Sequence, residues 1–112
     1  LVFRNGEPVL AVGSPGGRSI PHLLSRVLLA SLAWNEPPAR AVGLPHLSRR
    51  GTTLVLESDP PLPWPFPLQQ LKSEASPRRQ SIGSGTALIQ KIGAGWEGAA
   101  DPRREGPALA LP

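Results

Sequence analysis

The chain contains no cysteine and no methionine among its 112 residues. Without cysteine it can form no disulfide, and it has no thiolate to hold a metal ion. Its two histidines, His22 and His46, lie far apart in the sequence and have no cluster of carboxylates nearby. Because zinc and similar ions need several such ligands close together, we predict neither a metal centre nor another cofactor.

The missing methionine also bears on the extent of the chain. Leu1-Val2-Phe3 has the composition of the middle of a strand rather than of a natural start. A length of 112 residues is enough for one small domain with a modest core. We expect the sequence to be a fragment, or a mature chain whose upstream part is missing.

No apolar run is long enough to span a bilayer. The longest, from Leu23 to Trp34, is interrupted by Ser25, Arg26 and Ser31, whereas a spanning helix needs about 20 consecutive apolar residues. We therefore predict no membrane insertion by this segment.

The sequence also lacks a surface suited to nucleic acid, although its net charge is +4. Bases stack on aromatic side chains placed among the basic ones, and no aromatic residue lies among the basic pairs of this chain. These pairs are Arg49-Arg50, Arg78-Arg79 and Arg103-Arg104. We interpret them as part of a solvated surface and predict no nucleic-acid partner.

Proline and glycine are abundant, with 15 and 12 residues respectively. This composition approaches that of disordered chains, but a hydrophobic fraction of 39% is enough for a core. Five prolines fall between Pro60 and Pro67, so residues 58–67 are predicted to form an extended, proline-rich loop. A ligand of the PxxP type for an aromatic groove is the alternative function of this loop, and it would make the chain a non-catalytic interaction module.

The first third of the sequence predicts a hairpin followed by helices. Arg4-Asn5-Gly6-Glu7 separates two apolar runs, and an Asn-Gly step in that position is a strong hairpin signal. Apolar residues then recur at helical spacing, which predicts a helix from Ser19 to Trp34 with Ser19 as its N-cap. Asn35 is suited to cap a second, short helix that runs toward Leu44.

The rest of the chain predicts more strands. Residues 52–57 are rich in β-branched side chains and indicate a strand. A short helix is expected over residues 68–74. Residues 82–92 and 93–98 are then predicted as two strands that meet at Gly93-Ala94-Gly95.

Gly13-Ser14-Pro15-Gly16-Gly17 lies between the second strand of the hairpin and the first helix. Two adjacent glycines at such a junction expose consecutive backbone N–H groups without a side chain in the way, and these groups can bind an oxyanion. An ordinary tight turn is the other interpretation of the same five residues.

In their order and spacing, these blocks resemble the C-terminal part of the small subunit of gamma-glutamyltransferases, which are N-terminal-nucleophile hydrolases that mature by self-cleavage. The resemblance covers nearly the whole chain. Its two most specific blocks are the Gly-Ser-Pro-Gly-Gly turn and Gly98-Ala99-Ala100-Asp101-Pro102-Arg103-Arg104-Glu105-Gly106, with Ala41-Val42-Gly43-Leu44-Pro45-His46 and residues 54–57 between them.

The resemblance implies acyl transfer. In the family, a threonine at the start of the processed subunit attacks the gamma-glutamyl amide of glutathione or a similar donor, and its own amine serves as the base. Water or an amino acid then accepts the acyl group. The family's oxyanion donors correspond to Gly16 and Gly17 here, which would also be the substrate-binding residues. The nucleophile and the residues that hold the donor's carboxylate and amino group are absent from this chain, so we expect the fragment alone to be inactive.

Other residues receive structural interpretations. Thr52 and Thr53 lack the context of the family's nucleophile. Asp101 and Arg103 match a motif that ties the last strand to its neighbours, and His46 is expected to be a packed or surface histidine. The chain departs from the family at Arg18-Ser19-Ile20, where the first two residues are exchanged. It also departs at the proline-rich stretch and residues 71–76, which replace a helix and a Gly-His turn.

The fold implied is part of the αββα sandwich, an α+β class in which antiparallel sheet strands pack under a covering helix. Alone, such a part should expose sheet edges and one helix face. The expected partners are the remainder of the small subunit and the large subunit, and the family resemblance implies a periplasmic or extracellular location. An acylase of the same fold, of the cephalosporin-acylase type, is the remaining alternative.

Overall fold

The computed structural model describes residues 1–70 and 77–109, which form the predicted α+β fold. In these residues two strands of a larger sheet come first, followed by two helices, a smaller sheet and the last two strands of the larger sheet. The helices are α1 (Ile20–Leu32) and α2 (Pro38–Gly43); the strands are β1 (Val2–Arg4), β2 (Glu7–Gly13), β3 (Leu47–Arg50), β4 (Thr53–Glu57), β5 (Arg78–Gln80), β6 (Ala87–Ile92) and β7 (Gly95–Ala100). Single 3-10 turns cover Gly17–Ser19 and Leu68–Gln70.

The chain begins with the predicted hairpin of β1 and β2, in which Arg4 lies opposite Glu7. Its turn residues, Asn5 and Gly6, have φ angles of 52° and 83°. This left-handed conformation is the one that tight hairpin turns require, and asparagine and glycine adopt it most easily. β2 continues to Gly13 and leads the chain directly into the glycine-rich turn.

The larger sheet is antiparallel, with the strand order β1-β2-β6-β7. Its last two strands form the predicted hairpin around Gly93, which has a φ angle of 58°. β6 begins at Ala87 instead of Ile82, because the two glycines at 83 and 85 weaken strand formation. Since Gly13 of β2 pairs with Ala87 of β6, the glycine-rich turn and the residues before β6 lie side by side.

Helix α1 covers this sheet and buries Leu23, Val27 and Ala30, which recur at helical spacing. It begins at Ile20, with Pro21 in its first turn. The predicted capping role of Ser19 is wrong, because its backbone is helical and its side chain makes no cap hydrogen bond. The preceding 3-10 turn already carries the chain into the helix.

Asn35 ends α1 instead of capping α2. Its φ angle is 55°, and the N–H of Glu36 donates to the carbonyl of Ala30 at 2.9 Å. This hydrogen bond links the residue after Asn35 back to the last turn of α1 and satisfies one carbonyl at the end of the helix. Pro37 is extended and α2 starts at Pro38, where the fixed φ of proline suits the first helical position.

The smaller sheet has the order β3-β4-β5, in which β4 pairs antiparallel with β3 and parallel with β5. The predicted strand over residues 52–57 is confirmed as β4, except that Thr52 lies in the turn beside Gly51. Strands β3 and β5 were not predicted, because both are rich in arginine and owe their conformation to pairing with β4. Of the predicted helix over residues 68–74, the described part is one 3-10 turn, and residues 71–74 lie outside the described residues.

The main core lies between the larger sheet and the two helices. Its buried members come from both layers: Leu10, Val27, Ala30, Ala41, Val42, Leu44, Leu88 and Ala99. Several large apolar side chains remain exposed, among them Phe3 and Trp96 on the edge strands and Leu29 on α1. The predicted exposure of sheet edges and of a helix face is therefore confirmed. No helix within the described ranges is long and apolar enough to cross a membrane.

The proline-rich loop folds back onto its own domain. Leu62 approaches Gly43 so closely that a Cβ there would lie 3.2 Å from its Cδ1. The rings of Trp64 and Phe66 meet edge to face at 5.8 Å and, with Leu29 of α1, line an open apolar cavity of about 440 Å³. A loop whose apolar side chains contact its own helices is a poor candidate for a free PxxP ligand.

Candidate functional site

The glycine-rich turn joins the end of β2 to the start of α1. Gly16 is extended, with a φ angle of −138° and a ψ angle of 105°. Gly17 is left-handed, with a φ angle of 66°, and begins the 3-10 turn. A side chain at Gly17 would be strained, so the backbone explains this glycine. Gly16 has an ordinary extended backbone, but a side chain there would require Ser84 Oγ to move.

The N–H groups of Gly16 and Gly17 are available. Within residues 1–70 and 77–109, no carbonyl or side-chain oxygen accepts a hydrogen bond from either of them. Gly17 is exposed and Gly16 half-buried. Backbone donors without partners at the start of a helix can stabilise a developing negative charge, so the turn has the chemistry of an oxyanion site.

Ser84 lies directly beneath this turn. Its Oγ is 3.4 Å from the Oγ of Ser14, and a Cβ placed on Gly16 would be only 2.9 Å from Ser84 Oγ. Ser84 therefore places its Oγ beside Ser14 Oγ and in the space into which a side chain at Gly16 would project. It was not singled out in the sequence, where a serine between two glycines gives no signal of a long-range contact.

A buried group of charged side chains lies behind this segment and centres on Arg103. The guanidinium donates to Glu57 Oε2 at 2.7 Å and to Asp101 Oδ1 at 2.7 Å. It also donates to the carbonyls of Val42 and Leu44, at 3.1 and 2.8 Å. Arg103 thereby joins the end of β7 to α2 and β4, which confirms the structural interpretation of Asp101 and Arg103. Glu57 was not singled out from the sequence, although an acidic residue at the end of an apolar strand is a feature that could have indicated a buried ion pair.

The electrostatics of this charged group favour its ionised form. Burial acts to raise the pKa of Asp101, but hydrogen bonds from His46 and Arg103 outweigh burial and lower the pKa to about 2. Burial would lower the pKa of Arg103, but its bonds to Glu57 and Asp101 raise it instead. Nearby, burial and the charge of Arg103 lower the pKa of Arg26 to about 10. Asp101, Arg103 and Arg26 are thus charged at neutral pH.

His46 connects the charged group to the segment under the turn. It is fully buried, which confirms that it is a packed histidine. Its Nε2 lies 3.1 Å from the carbonyl oxygen of Ser84 and 3.5 Å from Asp101 Oδ2. Because a carbonyl can only accept, Nε2 bears the proton. The backbone N–H of His46 donates to Glu57 at 2.9 Å.

The threonine pair belongs to a different part of the fold. Thr52 lies exposed in the turn between β3 and β4, and Thr53 begins β4. Gly16 and Gly17 follow β2 of the larger sheet instead. The structure thus brings together the glycine-rich turn, Ser84 and His46, but gives Thr52 and Thr53 no place beside them.

The family of the chain follows from a match over almost its full length. Residues 1–111 match the model of the gamma-glutamyltranspeptidase family. The chain therefore belongs to this family. No curated protein matches it.

Solved structures of such enzymes share the fold. A gamma-glutamyltranspeptidase from Pseudomonas nitroreducens complexed with L-DON is 21% identical with a TM-score of 0.79, and the match covers 99% of this chain and 60% of that one. A mutant gamma-glutamyltranspeptidase from Helicobacter pylori is 22% identical with a TM-score of 0.70, covering 92% and 58%. The transpeptidase CapD of Bacillus anthracis is 18% identical with a TM-score of 0.65, covering 91% and 63%. The chain thus spans about 60% of the length of the first of these relatives.

Proposed function

We propose that this chain is the C-terminal part of the small subunit of a gamma-glutamyltransferase. The whole protein would transfer the gamma-glutamyl group of glutathione, or of a similar donor, to water or to an amino acid. The observation that supports this most strongly is the pair of N–H groups at Gly16 and Gly17, which have no partner in the described part of the chain, in a chain whose residues 1–111 match the family.

The role proposed for the turn is electrostatic. An N-terminal threonine, upstream of this chain, attacks the carbonyl carbon of the gamma-glutamyl amide and transfers its hydroxyl proton to its own amine. The carbonyl oxygen then becomes an oxyanion, to which Gly16 and Gly17 donate hydrogen bonds. The amine group of the donor leaves with the proton, and water or an amino acid releases the acyl group in a second attack. One such donor contributes about 3 kcal/mol of transition-state stabilisation.

The exposed apolar surface supports the need for partners. Phe3, Trp96 and Leu29 are all more than half exposed, at 58%, 51% and 51%, and they lie on the two edge strands of the larger sheet and on α1, where another chain can pack. We propose that the remainder of the small subunit and the large subunit cover them. The mature enzyme would form by self-cleavage and act in the periplasm or outside the cell.

Two proteins of different length test the proposal. The 112 residues alone should release no glutamate from glutathione, whereas the longer gene product that contains them should do so after self-cleavage. Thr52→Ala and Thr53→Ala in the longer product should leave kcat unchanged, because neither threonine is the nucleophile. Turnover by the isolated chain, or loss of turnover in either variant, would contradict the proposal.

The oxyanion role has a separate readout. The longer product can be treated with an electrophilic glutamine analogue that leaves a tetrahedral oxyanion on the nucleophile. The amide proton resonances of Gly16 and Gly17 should then move downfield, as expected for new hydrogen bonds to a negative oxygen. Unchanged resonances in a fully modified protein would remove these glycines from the site.

A further inference from the structure

Residues 83–86 cross between the glycine-rich turn and the buried charged group. On one side the hydroxyl of Ser84 meets Ser14 and Gly16. On the other side the carbonyl of the same residue accepts a hydrogen bond from His46 at 3.1 Å. Ser84 is thus the residue in this segment that contacts both regions.

The segment is fixed at both of its ends. The N–H of Thr86 donates to Asp101 Oδ2 at 3.1 Å, and Arg104 donates to the carbonyl of Gly83 at 3.1 Å. Gly85 between them has no room for a side chain, since a Cβ there would lie 2.6 Å from Arg104 Cγ and 2.9 Å from Asp101 Cβ. Because its backbone is held in this way, the segment can restrain the glycine-rich turn that packs against it.

The turn above it has few supports of its own. Gly16 and Gly17 have no side chains, and Gly13 and Gly17 have no atom within 4 Å of the position a Cβ would occupy. Glycine also has the largest backbone freedom of any residue. On one side of Gly16 this freedom is limited by Ser84, whose Oγ and Cβ lie 2.9 and 3.5 Å from the position that a Cβ of Gly16 would occupy.

We propose that Ser84 is a positioning residue for the oxyanion turn: its hydroxyl and Cβ hold Gly16 in the extended conformation, while His46 and Asp101 hold Ser84 in place. This inference rests on the function proposed above for Gly16 and Gly17. Ser84 itself does not touch the substrate. It limits the directions in which the two N–H groups can point, and so acts through them.

The effect should fall on kcat and not on KM. The oxyanion exists in the tetrahedral intermediate but not in the bound amide, so a poorly directed donor weakens the transition state more than the ground state. Loss of one neutral hydrogen bond and its packing typically corresponds to about a tenfold change in an equilibrium or a rate. Ser84→Ala in the full-length enzyme should therefore lower kcat about tenfold and change KM less than about twofold.

Ser81→Ala is the matched control, because Ser81 is an exposed serine just before this segment, and it should leave both constants unchanged. A second pair of variants tests the contact directly. Gly16→Ala should lower kcat strongly while Ser84 is present, because the new methyl group meets Ser84 Oγ. In the Ser84→Gly background, Gly16→Ala should lower kcat by less than about a third of the factor seen when Ser84 is present, because the effects of substituting contacting residues do not add. Additive losses would overturn the proposal.

A spectroscopic readout separates this proposal from the proposed function. In the full-length protein, Ser84→Ala should shift the amide resonances of Gly16 and Gly17 and speed their hydrogen exchange, whereas Ser81→Ala should not. If the wild-type protein transfers no acyl group but these signals respond, the positioning role stands and the catalytic function falls. If transfer occurs and Ser84→Ala changes neither kcat nor the signals, the positioning role is refuted and the function stands.

Discussion

The glycine-rich turn and the buried charged group lie on opposite sides of residues 83–86 and differ in almost every physical respect. The turn is partly exposed, uncharged and poor in hydrogen bonds. The charged group places Glu57, Asp101 and Arg103 almost entirely away from water and bonds each of them to the others or to the backbone.

The difference suggests separate roles for the two regions, catalysis for the turn and stabilisation of the fold for the charged group. Ionised side chains would be expected in an active site, yet here each is paired and bonded to neighbours that fix the fold. The proposed chemistry of the chain depends instead on the backbone N–H groups of Gly16 and Gly17, which have no partner among residues 1–70 and 77–109. Substitutions in the charged group should therefore affect mainly stability, and substitutions in the turn mainly catalysis.

The largest expected effect is the removal of the Arg103 guanidinium. Arg103→Met keeps most of the side-chain volume but leaves Glu57 and Asp101 buried without their cation. Breaking a buried ion pair in this way costs about 3–5 kcal/mol of folding free energy. Urea denaturation of the purified protein, followed by circular dichroism, should show this as a lower midpoint.

Arg104→Met is the matched control for this prediction. Arg104 is the adjacent arginine and donates one exposed hydrogen bond, to Gly83. Its removal should cost less than about 1 kcal/mol. Equal losses in the two variants would mean that the buried network does not stabilise the fold more than a surface contact does.

The pH dependence of stability should give a smaller effect from the same group. The pKa of Asp101 is lowered from 3.8 to about 2 in the folded protein, so its contribution is complete above pH 4 and is lost as the pH falls through about 2. A shift of this size corresponds to about 2 kcal/mol. Denaturation midpoints between pH 5 and pH 2 should therefore fall steeply.

Asp101→Asn should flatten this pH profile, because an amide does not titrate. Asp59→Asn should not, because Asp59 lies exposed in the proline-rich loop, where its bonding partner is the neighbouring Ser58. If both variants kept the wild-type profile, the acid sensitivity would have to come from other carboxylates.

The two regions also differ in how far the sequence predicts them. The turn is local: Asn5-Gly6 predicts the hairpin before it, and apolar spacing predicts the helix after it, so the place of Gly16 and Gly17 could be inferred from neighbouring residues. The resemblance to gamma-glutamyltransferases then implied that these two glycines act as oxyanion donors. Ser19 failed as a predicted cap because the 3-10 turn before it already leads into the helix.

The charged group is assembled from distant parts of the chain and could be predicted only in part. Asp101 and Arg103 were expected to tie the last strand to its neighbours, but Glu57, 46 positions from Arg103, could not be paired with them from spacing. β3 and β5 escaped prediction for the same reason. Their arginine-rich sequences form strands because β4 supplies hydrogen-bonding partners, and no local pattern encodes that pairing.

The smallest expected change in stability is in the turn. Gly17 has a φ angle of 66°, and an alanine held in this left-handed conformation costs about 1–2 kcal/mol. Gly17→Ala should therefore destabilise the protein by about 1 kcal/mol, because the exposed turn can relax part of the strain. That relaxation rotates the N–H groups, so kcat of the full-length enzyme should fall by more than the loss of stability accounts for.

Gly13→Ala provides the control, since Gly13 lies at the end of β2 with open space around it and no left-handed φ angle. It should change the urea midpoint and kcat little, because alanine fits a strand at least as well as glycine does. Compared with Arg103→Met, the two glycine variants test directly whether the turn serves catalysis while the charged group serves stability. If Gly17→Ala lowered stability as much as Arg103→Met and left kcat intact, the turn would be structural support like the charged group, and its free N–H groups would have no part in catalysis.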